Sequence, residues 1–63
     1  MLNEYRAQRK KAGLSSTQAA AKLDVSITTL MSWEQGKTAP NGNKLVEMVK
    51  LYGCTADELL GLA

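Results

Sequence analysis

The sequence has no histidine and only one cysteine among its 63 residues. The missing histidine excludes a Ser-His-Asp or Cys-His catalytic site. A single cysteine excludes an internal disulfide and any zinc site built from several cysteines. We therefore predict a protein that is not an enzyme, with no metal site, no cofactor and no small-molecule substrate. Its role is expected to be binding.

Long hydrophobic runs are also missing. No segment approaches the ~18 apolar residues of a membrane span, and residues 1–4 lack the apolar stretch of a secretory signal. The composition, 44% hydrophobic in 63 residues, suits one small domain over residues 1–63 with a modest core. We expect a soluble cytoplasmic protein without a membrane partner.

Basic residues are concentrated in the first third of the chain, although the net charge is only +2. Residues 1–22 contain five basic residues and one acidic residue, whereas residues 23–63 contain three and five. An anion-binding surface requires such a concentration of positive charge. A basic helix in contact with water shows the same pattern, so charge alone leaves both interpretations open.

Strand signals are nearly absent, and signals for helix starts and stops are frequent. Ser, Asn and Thr stand where helix caps are needed, and Gly follows three of the predicted helices. The predicted helices are residues 2–12, a second that Ser15 or Ser16 caps and that ends at Leu23, residues 27–35 after the cap Ser26, a fourth from the cap Asn41 to Tyr52, and a short fifth after Thr55. Five helices with short loops predict a compact all-α domain.

The second and third predicted helices, over about residues 16–35, have the pattern of a helix-turn-helix. This motif needs a small residue in its first helix and a left-handed residue in its turn, which Ala20 and Asp24 supply. It also needs apolar anchors in its second helix, which Leu30 and Trp33 supply. The short or uncharged residues left for the outer face of that helix are Ile27, Thr28, Thr29 and Ser32.

Several motifs in order resemble the phage-repressor and Cro type of helix-turn-helix, also called the XRE-like family. They are Ala12-Gly13-Leu14-Ser15, Ala19-Ala20-x-x-Leu23-x-Val25-Ser26, Leu30-x-x-Trp33-Glu34-x-Gly36-Lys37, Pro40, Leu45, Tyr52-Gly53 and Glu58-Leu59-Leu60. The resemblance covers residues 6–60. It implies a five-helix lambda-repressor-like domain whose third helix lies in the major groove of double-stranded DNA, with two copies forming a homodimer on the site.

The resemblance also implies roles for individual residues. Base contacts are expected from Ser16, Ile27, Thr28, Thr29 and Ser32. Phosphate contacts are expected from Arg9, Ser15, Gln35, Lys37, Asn41 and Lys44. Arg9 and Glu34 are expected to form a partly buried ion pair between helices 1 and 3.

The chain departs from the family pattern at several of these positions. Asp24 replaces the usual glycine of the turn, and Gly42 and Gln8 each replace a frequent leucine. Ser16 stands where glutamine is common and cannot make a bidentate contact with adenine. Ile27 is apolar, so we expect it to contact a thymine methyl group or to respond to DNA shape.

The sequence leaves two functions open. The first is a sequence-specific DNA-binding transcriptional regulator, most like a small phage or mobile-element repressor or Cro protein. The second is a protein-interaction module of the same fold, such as an antitoxin-like partner, in which Ile27, Met31 and Leu62 contact another protein. The outer face of helix 3 is either a base-contacting face or a solvated one, and Leu60 and Leu62 are expected at a dimer seam.

Overall fold

The computed structural model describes residues 3–62, and this part of the chain forms five α-helices without a strand. They are α1 (Tyr5–Lys11), α2 (Ser16–Leu23), α3 (Ile27–Glu34), α4 (Gly42–Tyr52) and α5 (Ala56–Leu60). The predicted all-α class with five helices is confirmed. Residues 1, 2 and 63 of the predicted domain, including the expected start of helix 1, lie outside the described residues. None of the five helices has the length and apolar character needed to cross a membrane.

The segment before α1 packs against other helices, and α1 therefore begins later than predicted. The side chain of Asn3 donates from Nδ2 to the Trp33 carbonyl over 3.2 Å and accepts the Tyr5 N–H at Oδ1 over 3.2 Å. The Glu4 N–H donates to the Leu59 carbonyl over 3.0 Å. These bonds hold residues 3 and 4 against the ends of α3 and α5, so the first helical turn starts at Tyr5.

Each of α2 to α5 begins after a polar side chain that accepts a backbone N–H from the first turn of its helix. The four caps are Ser15, Ser26, Asn41 and Thr55. Of the two candidates for α2, Ser15 is the cap. Such caps satisfy N–H groups that have no partner within the helix. Local sequence therefore determines where these helices begin.

The end of α3 lies one residue earlier than predicted. Its last helical residue is Glu34, and Gln35 is the C-cap. The backbone then reverses at Gly36, where φ is +78°, and the Lys37 N–H donates to the Ser32 carbonyl over 3.0 Å. A left-handed glycine just after a helix allows this bond without a Cβ clash.

Asp24 makes the turn between α2 and α3 possible. Its φ of +57° and ψ of +45° are left-handed, and it is the one residue other than glycine with positive φ within residues 3–62. Aspartate adopts this region more readily than most residues. The N–H groups of Asp24 and Val25 donate to the carbonyls of Ala21 and Ala20, which closes α2. The predicted left-handed turn residue is confirmed.

The core lies between the helices and consists of nine buried hydrophobic residues. These are Tyr5, Ala19, Ala20, Leu23, Leu30, Trp33, Met48, Tyr52 and Leu59. The prediction that Trp33 and Met48 are core residues is confirmed. Leu45 and Val49, from the apolar stripe of α4, are only half-buried, because one side of them opens onto a surface groove beside α5.

Small side chains on α2 determine the position of α3. Ala19 and Ala20 are buried, so the two helices approach closely where they cross. Leu30 and Trp33 extend from α3 into the core, with relative exposures of 0% and 5%. Because Leu30 and Trp33 fill the inner side of α3, the opposite side of the helix faces solvent.

Candidate nucleic-acid interface

The outer side of α3 is exposed and uncharged. Ile27 and Met31 have 43% and 44% of their surface exposed, which is high for large apolar side chains. Thr28 is exposed and Ser32 is half-buried. A helix of this kind, with its inner side anchored and its outer side free, has the geometry required to enter a major groove.

Thr29 differs from its predicted neighbours on this face. It is half-buried, and its Oγ1 accepts a hydrogen bond from the Ser26 Oγ over 2.9 Å. The helical rotation of about 100° per residue places Thr29 only about 40° from the anchor Trp33. Its side chain therefore supports the start of α3, and a base contact from Thr29 stays a prediction.

A groove of about 280 Å³ adjoins the outer face of α3. Its residues come from α1, the first turn of α2 and the end of α3: Arg6, Arg9, Ser16, Met31, Glu34 and Gln35. The first N–H groups of α2 have no partner within the helix, and the helix dipole adds positive potential at this end. Arginine and a helix start in one groove provide the groups that bind a phosphate.

The ion pair predicted between Arg9 and Glu34 is present. The Arg9 Nε donates to Glu34 Oε2 over 2.7 Å and Nη2 donates to Oε1 over 3.1 Å, while Nη1 donates to the Leu14 carbonyl over 3.1 Å. The two side chains are 9% and 8% exposed. The hydrogen bond to Glu34 raises the pKa of Arg9, against the lowering effect of burial. The pair joins α1 to α3 and leaves guanidinium hydrogens for a further acceptor.

Tyr52 lies in the electrostatic field of this pair. Burial is the main cause that raises its pKa to about 12, and the negative charge of Glu34 adds to the increase. The positive charge of Arg9 acts in the opposite direction. The Tyr52 hydroxyl therefore stays neutral at ordinary pH.

Apart from Arg9, the predicted phosphate contacts fall into three groups. Gln35 and Lys37 are exposed near the end of α3, whereas Ser15 and Asn41 are exposed caps that already accept helix N–H groups. Lys44 is held elsewhere, since its Nζ donates to the Leu23 carbonyl over 2.6 Å and lies 3.6 Å from the Glu47 carboxylate.

The Lys44 ammonium thus stabilises the C-terminal end of α2, where cations are favoured. A phosphate contact from Lys44 would compete with these two interactions. That contact, like the other residue roles implied by the resemblance, remains a prediction.

Two residues of the groove were missing from the predicted DNA site, although Met31 was expected to contact a protein in the alternative function. Arg6 lies three positions before Arg9, so the two arginines share one side of α1. Met31 lies four positions after Ile27 and shares its side of α3. The helical spacing could have identified each residue as a neighbour of a predicted contact. The packing of α1 against α3 brings Arg6 and Met31 into one groove.

A second groove, of about 220 Å³, lies between α4 and α5 and has an apolar lining. Its residues are Leu45, Val46, Val49, Lys50, Ala56, Leu59 and Leu60. Val46 is 53% exposed, and Leu62 beyond α5 is 74% exposed. Leu60, expected at a dimer seam, is half-buried in this groove.

The sequence is similar to known proteins over most of its length. The profile of the helix-turn-helix family matches residues 6–59. Repressor protein C2 of Salmonella phage P22 is 34% identical over 60 residues, which are 95% of this chain and 28% of that protein. The HTH-type transcriptional regulator ImmR of Bacillus subtilis (strain 168) is 34% identical over 53 residues, which are 84% of this chain and 42% of that protein. The chain thus spans less than half the length of either relative.

Proposed function

Because the chain belongs to the helix-turn-helix family, we propose that it is a DNA-binding transcriptional regulator of the phage-repressor type. Residues 1–63 act as one DNA-binding domain, and α3 enters the major groove of double-stranded DNA. The protein acts by occupying its site and carries out no catalysis.

One observation carries the proposal. The exposed, uncharged side of α3 lies beside a groove that contains Arg6, Arg9 and the first turn of α2. A major-groove helix needs both features, because its side chains contact base edges while cations and helix N–H groups beside it contact phosphates. The two features adjoin at Met31, which belongs to both.

Individual residues are assigned to the two kinds of contact. Thr28 and Ser32 approach base edges, and Ile27 supplies an apolar contact; Ser16 and Thr29 are the remaining base-contact candidates. Arg9 and Lys37 are the main phosphate contacts, and Arg6 is a further one. The remaining phosphate candidates are Ser15, Gln35, Asn41 and Lys44.

The protein binds its site as a homodimer. One recognition helix covers only a few base pairs, and a two-fold dimer doubles the contacts over half-sites about one helical turn apart. The apolar groove between α4 and α5, together with Leu60 and Leu62, is the surface offered for this contact. A second copy would bury apolar area that is otherwise in contact with water.

Salt dependence of duplex binding tests the proposal. If a dimer makes about 6 to 10 phosphate contacts, affinity falls about 10³- to 10⁵-fold between about 50 and 200 mM salt. Arg6→Ala and Lys37→Ala should each reduce the slope of log affinity against log salt by about one per protomer. Lys11→Ala is the matched control, since it removes one exposed positive charge from a residue that lines neither groove.

A protein-interaction module gives a different result. Its binding would be largely independent of salt, and no duplex would be bound even at low salt. Either finding contradicts the proposed regulator and favours the alternative, in which Ile27, Met31 and Leu62 contact a protein.

A further inference from the structure

We propose that the outer face of α3 recognises the 5-methyl group of pyrimidines in the major groove, on 5-methylcytosine as well as on thymine. This inference rests on the proposed function, because it specifies the duplex that the same surface binds. It makes binding sensitive to cytosine methylation at the bases that face α3.

The apolar strip that carries the proposal consists of Ile27 and Met31. The two residues are four positions apart, so they lie on the same side of the helix, about 6 Å apart along its axis. Both are more than two-fifths exposed. Thr28, beside them and exposed, adds a further methyl group to the same surface.

The core does not account for this strip. Leu30 and Trp33 already fill the inner side of α3, and Ile27 and Met31 are absent from the core cluster and from the residues packed against it. Large apolar side chains exposed together on one face indicate a binding surface. The apolar group that a major groove offers to such a surface is the 5-methyl group of thymine.

The outer face of α3 has few side chains that can form specific hydrogen bonds with base edges. The exposed part of α3 has no arginine, lysine or asparagine, and its nearest amide is Gln35 at the C-cap. The one charged residue of α3 is Glu34, which is engaged by Arg9. Bidentate contacts to guanine or adenine need an arginine, lysine or amide side chain. Methyl contacts are thus the main direct contact available to the exposed residues of the helix.

The position of Met31 favours DNA over a protein as the occupant. Met31 lines the groove that also contains Arg6, Arg9 and Ser16. An apolar protein surface gains little from adjoining two arginines and a helix start, whereas a duplex places phosphates beside its base edges. The strip and the positive groove therefore fit a single duplex.

The chemistry of the strip explains why cytosine methylation matters. Thymine and 5-methylcytosine carry the methyl group at the same ring position but differ at position 4, which is an acceptor in thymine and a donor in cytosine. Isoleucine has no hydrogen-bonding group, and methionine has only a weak acceptor. The Thr28 hydroxyl both donates and accepts, so the methyl group rather than position 4 dominates recognition.

The experiment begins with a duplex selected from a random pool at low salt. Each thymine is replaced in turn by deoxyuridine, which removes only the methyl group. At one or two positions in each half-site we expect about a fourfold loss of affinity, the fold-change that corresponds to ~0.8 kcal/mol for one buried methylene. At those positions, a 5-methylcytosine–guanine pair should bind about fourfold more tightly than a cytosine–guanine pair.

Variants of the protein identify the surface that contacts the methyl group. In Ile27→Ala or Met31→Ala, affinity for the thymine duplex should fall to that for the deoxyuridine duplex at the position facing the changed residue. Val46→Ala is the comparison variant, because it shortens an exposed apolar side chain in the α4–α5 groove. Any effect on dimerisation there lowers affinity for the thymine and deoxyuridine duplexes equally, so this variant should preserve the full ratio. Thermal unfolding of each variant shows that the fold is retained.

The possible failures are distinguishable. If a duplex is bound but no deoxyuridine substitution changes affinity, the methyl inference is overturned and the proposed function stands. A methyl effect that survives in both the Ile27 and Met31 variants also overturns it. If no duplex is bound at low salt, the proposed function itself fails.

Discussion

Arg9 and Glu34 provide a stability test at the scale of single residues. Both side chains are nearly buried and share two hydrogen bonds. Replacing either one, by Arg9→Met or Glu34→Gln, leaves a polar partner without compensation, at an expected cost of about 1 to 3 kcal/mol. Urea unfolding of both single variants and the double variant gives the coupling energy.

The double variant should cost clearly less than the sum of the two single variants. Lys22→Met, which removes an exposed charge from α2, is the control and should change stability by less than about 0.5 kcal/mol. Strict additivity would show that the ion pair does not contribute to folding.

Thr28 and Ser32 are expected to determine part of the sequence preference. Thr28→Ala or Ser32→Ala should barely change the Tm, because neither side chain belongs to the core. Each should cost roughly 1 kcal/mol or more on the preferred duplex and much less on random DNA. Competition binding with both duplexes gives the ratio.

Thr29→Ala is the informative comparison for these variants. It removes the acceptor of the Ser26 hydroxyl, so we expect a lower Tm with less effect on sequence preference. Equal losses on both duplexes for Thr28→Ala and Ser32→Ala would instead make these residues backbone contacts, and no loss on either would make the face a solvated one.

The raised pKa of Tyr52 predicts that the protein loses stability at alkaline pH. Its pKa in the folded protein is about 12, raised from 10.0 mainly by burial. The unfolded chain therefore releases this proton first, so the contribution of Tyr52 is fully present below about pH 10 and is lost as pH rises toward 12. Urea unfolding of the wild type and Tyr52→Phe between about pH 9 and 12 measures the difference.

The phenylalanine variant should show a shallower decline of stability over that range. Tyr5, whose pKa burial also raises, keeps its own contribution in this variant, so the decline is reduced and not abolished. Identical slopes for the two proteins would show that Tyr52 ionises alike in the folded and unfolded chains.

The turn between α2 and α3 is the element where the backbone is most constrained. Asp24 has a φ of +57°, a conformation that costs an L-residue roughly 1 to 2 kcal/mol and costs glycine far less. Asp24→Gly should therefore raise the free energy of unfolding by up to about 1 kcal/mol, after the greater flexibility of glycine in the unfolded chain is included. Urea unfolding at one pH measures the gain.

Ala21→Gly is the matched control for this variant. Ala21 is exposed in right-handed helical backbone within the same α2, so glycine there should lower stability by about 1 kcal/mol. A loss of stability at both positions would mean that the Asp24 side chain contributes more than its backbone conformation costs.

Dimerisation on DNA is the prediction at the scale of the whole molecule. With about 60% of its unfolded surface buried, a domain of this size gains affinity from a second copy. Sedimentation of the complex should give two protomers for each specific site under saturating protein. Leu60→Asp or Leu62→Asp should weaken specific binding more than tenfold, because each places a charge in the expected apolar contact.

Lys10→Asp is the comparison for the charge change itself, since position 10 is exposed on α1. It should reduce binding to all duplexes alike, without changing the stoichiometry. One protomer on each specific site would exclude the homodimer.

The sequence by itself determined most helix boundaries and the main anchors of the core. Caps such as Ser26 and Asn41 bond to groups three residues away, and the apolar spacing of Leu30 and Trp33 repeats within a single turn. The left-handed Asp24 was predictable for the same reason. Interactions between residues within about four positions depend little on the rest of the chain, so they can be inferred from sequence.

Only the tertiary structure decided how the site is assembled. The Lys44 ammonium donates a hydrogen bond to the carbonyl of Leu23, 21 residues away. The Asn3 side chain donates one to the carbonyl of Trp33, 30 residues away. Arg6 and Met31 meet in one groove because α1 packs against α3. Each of these contacts depends on the crossing of helices that are distant in sequence, and the periodicity of one helix contains no information about which neighbour its polar groups will meet.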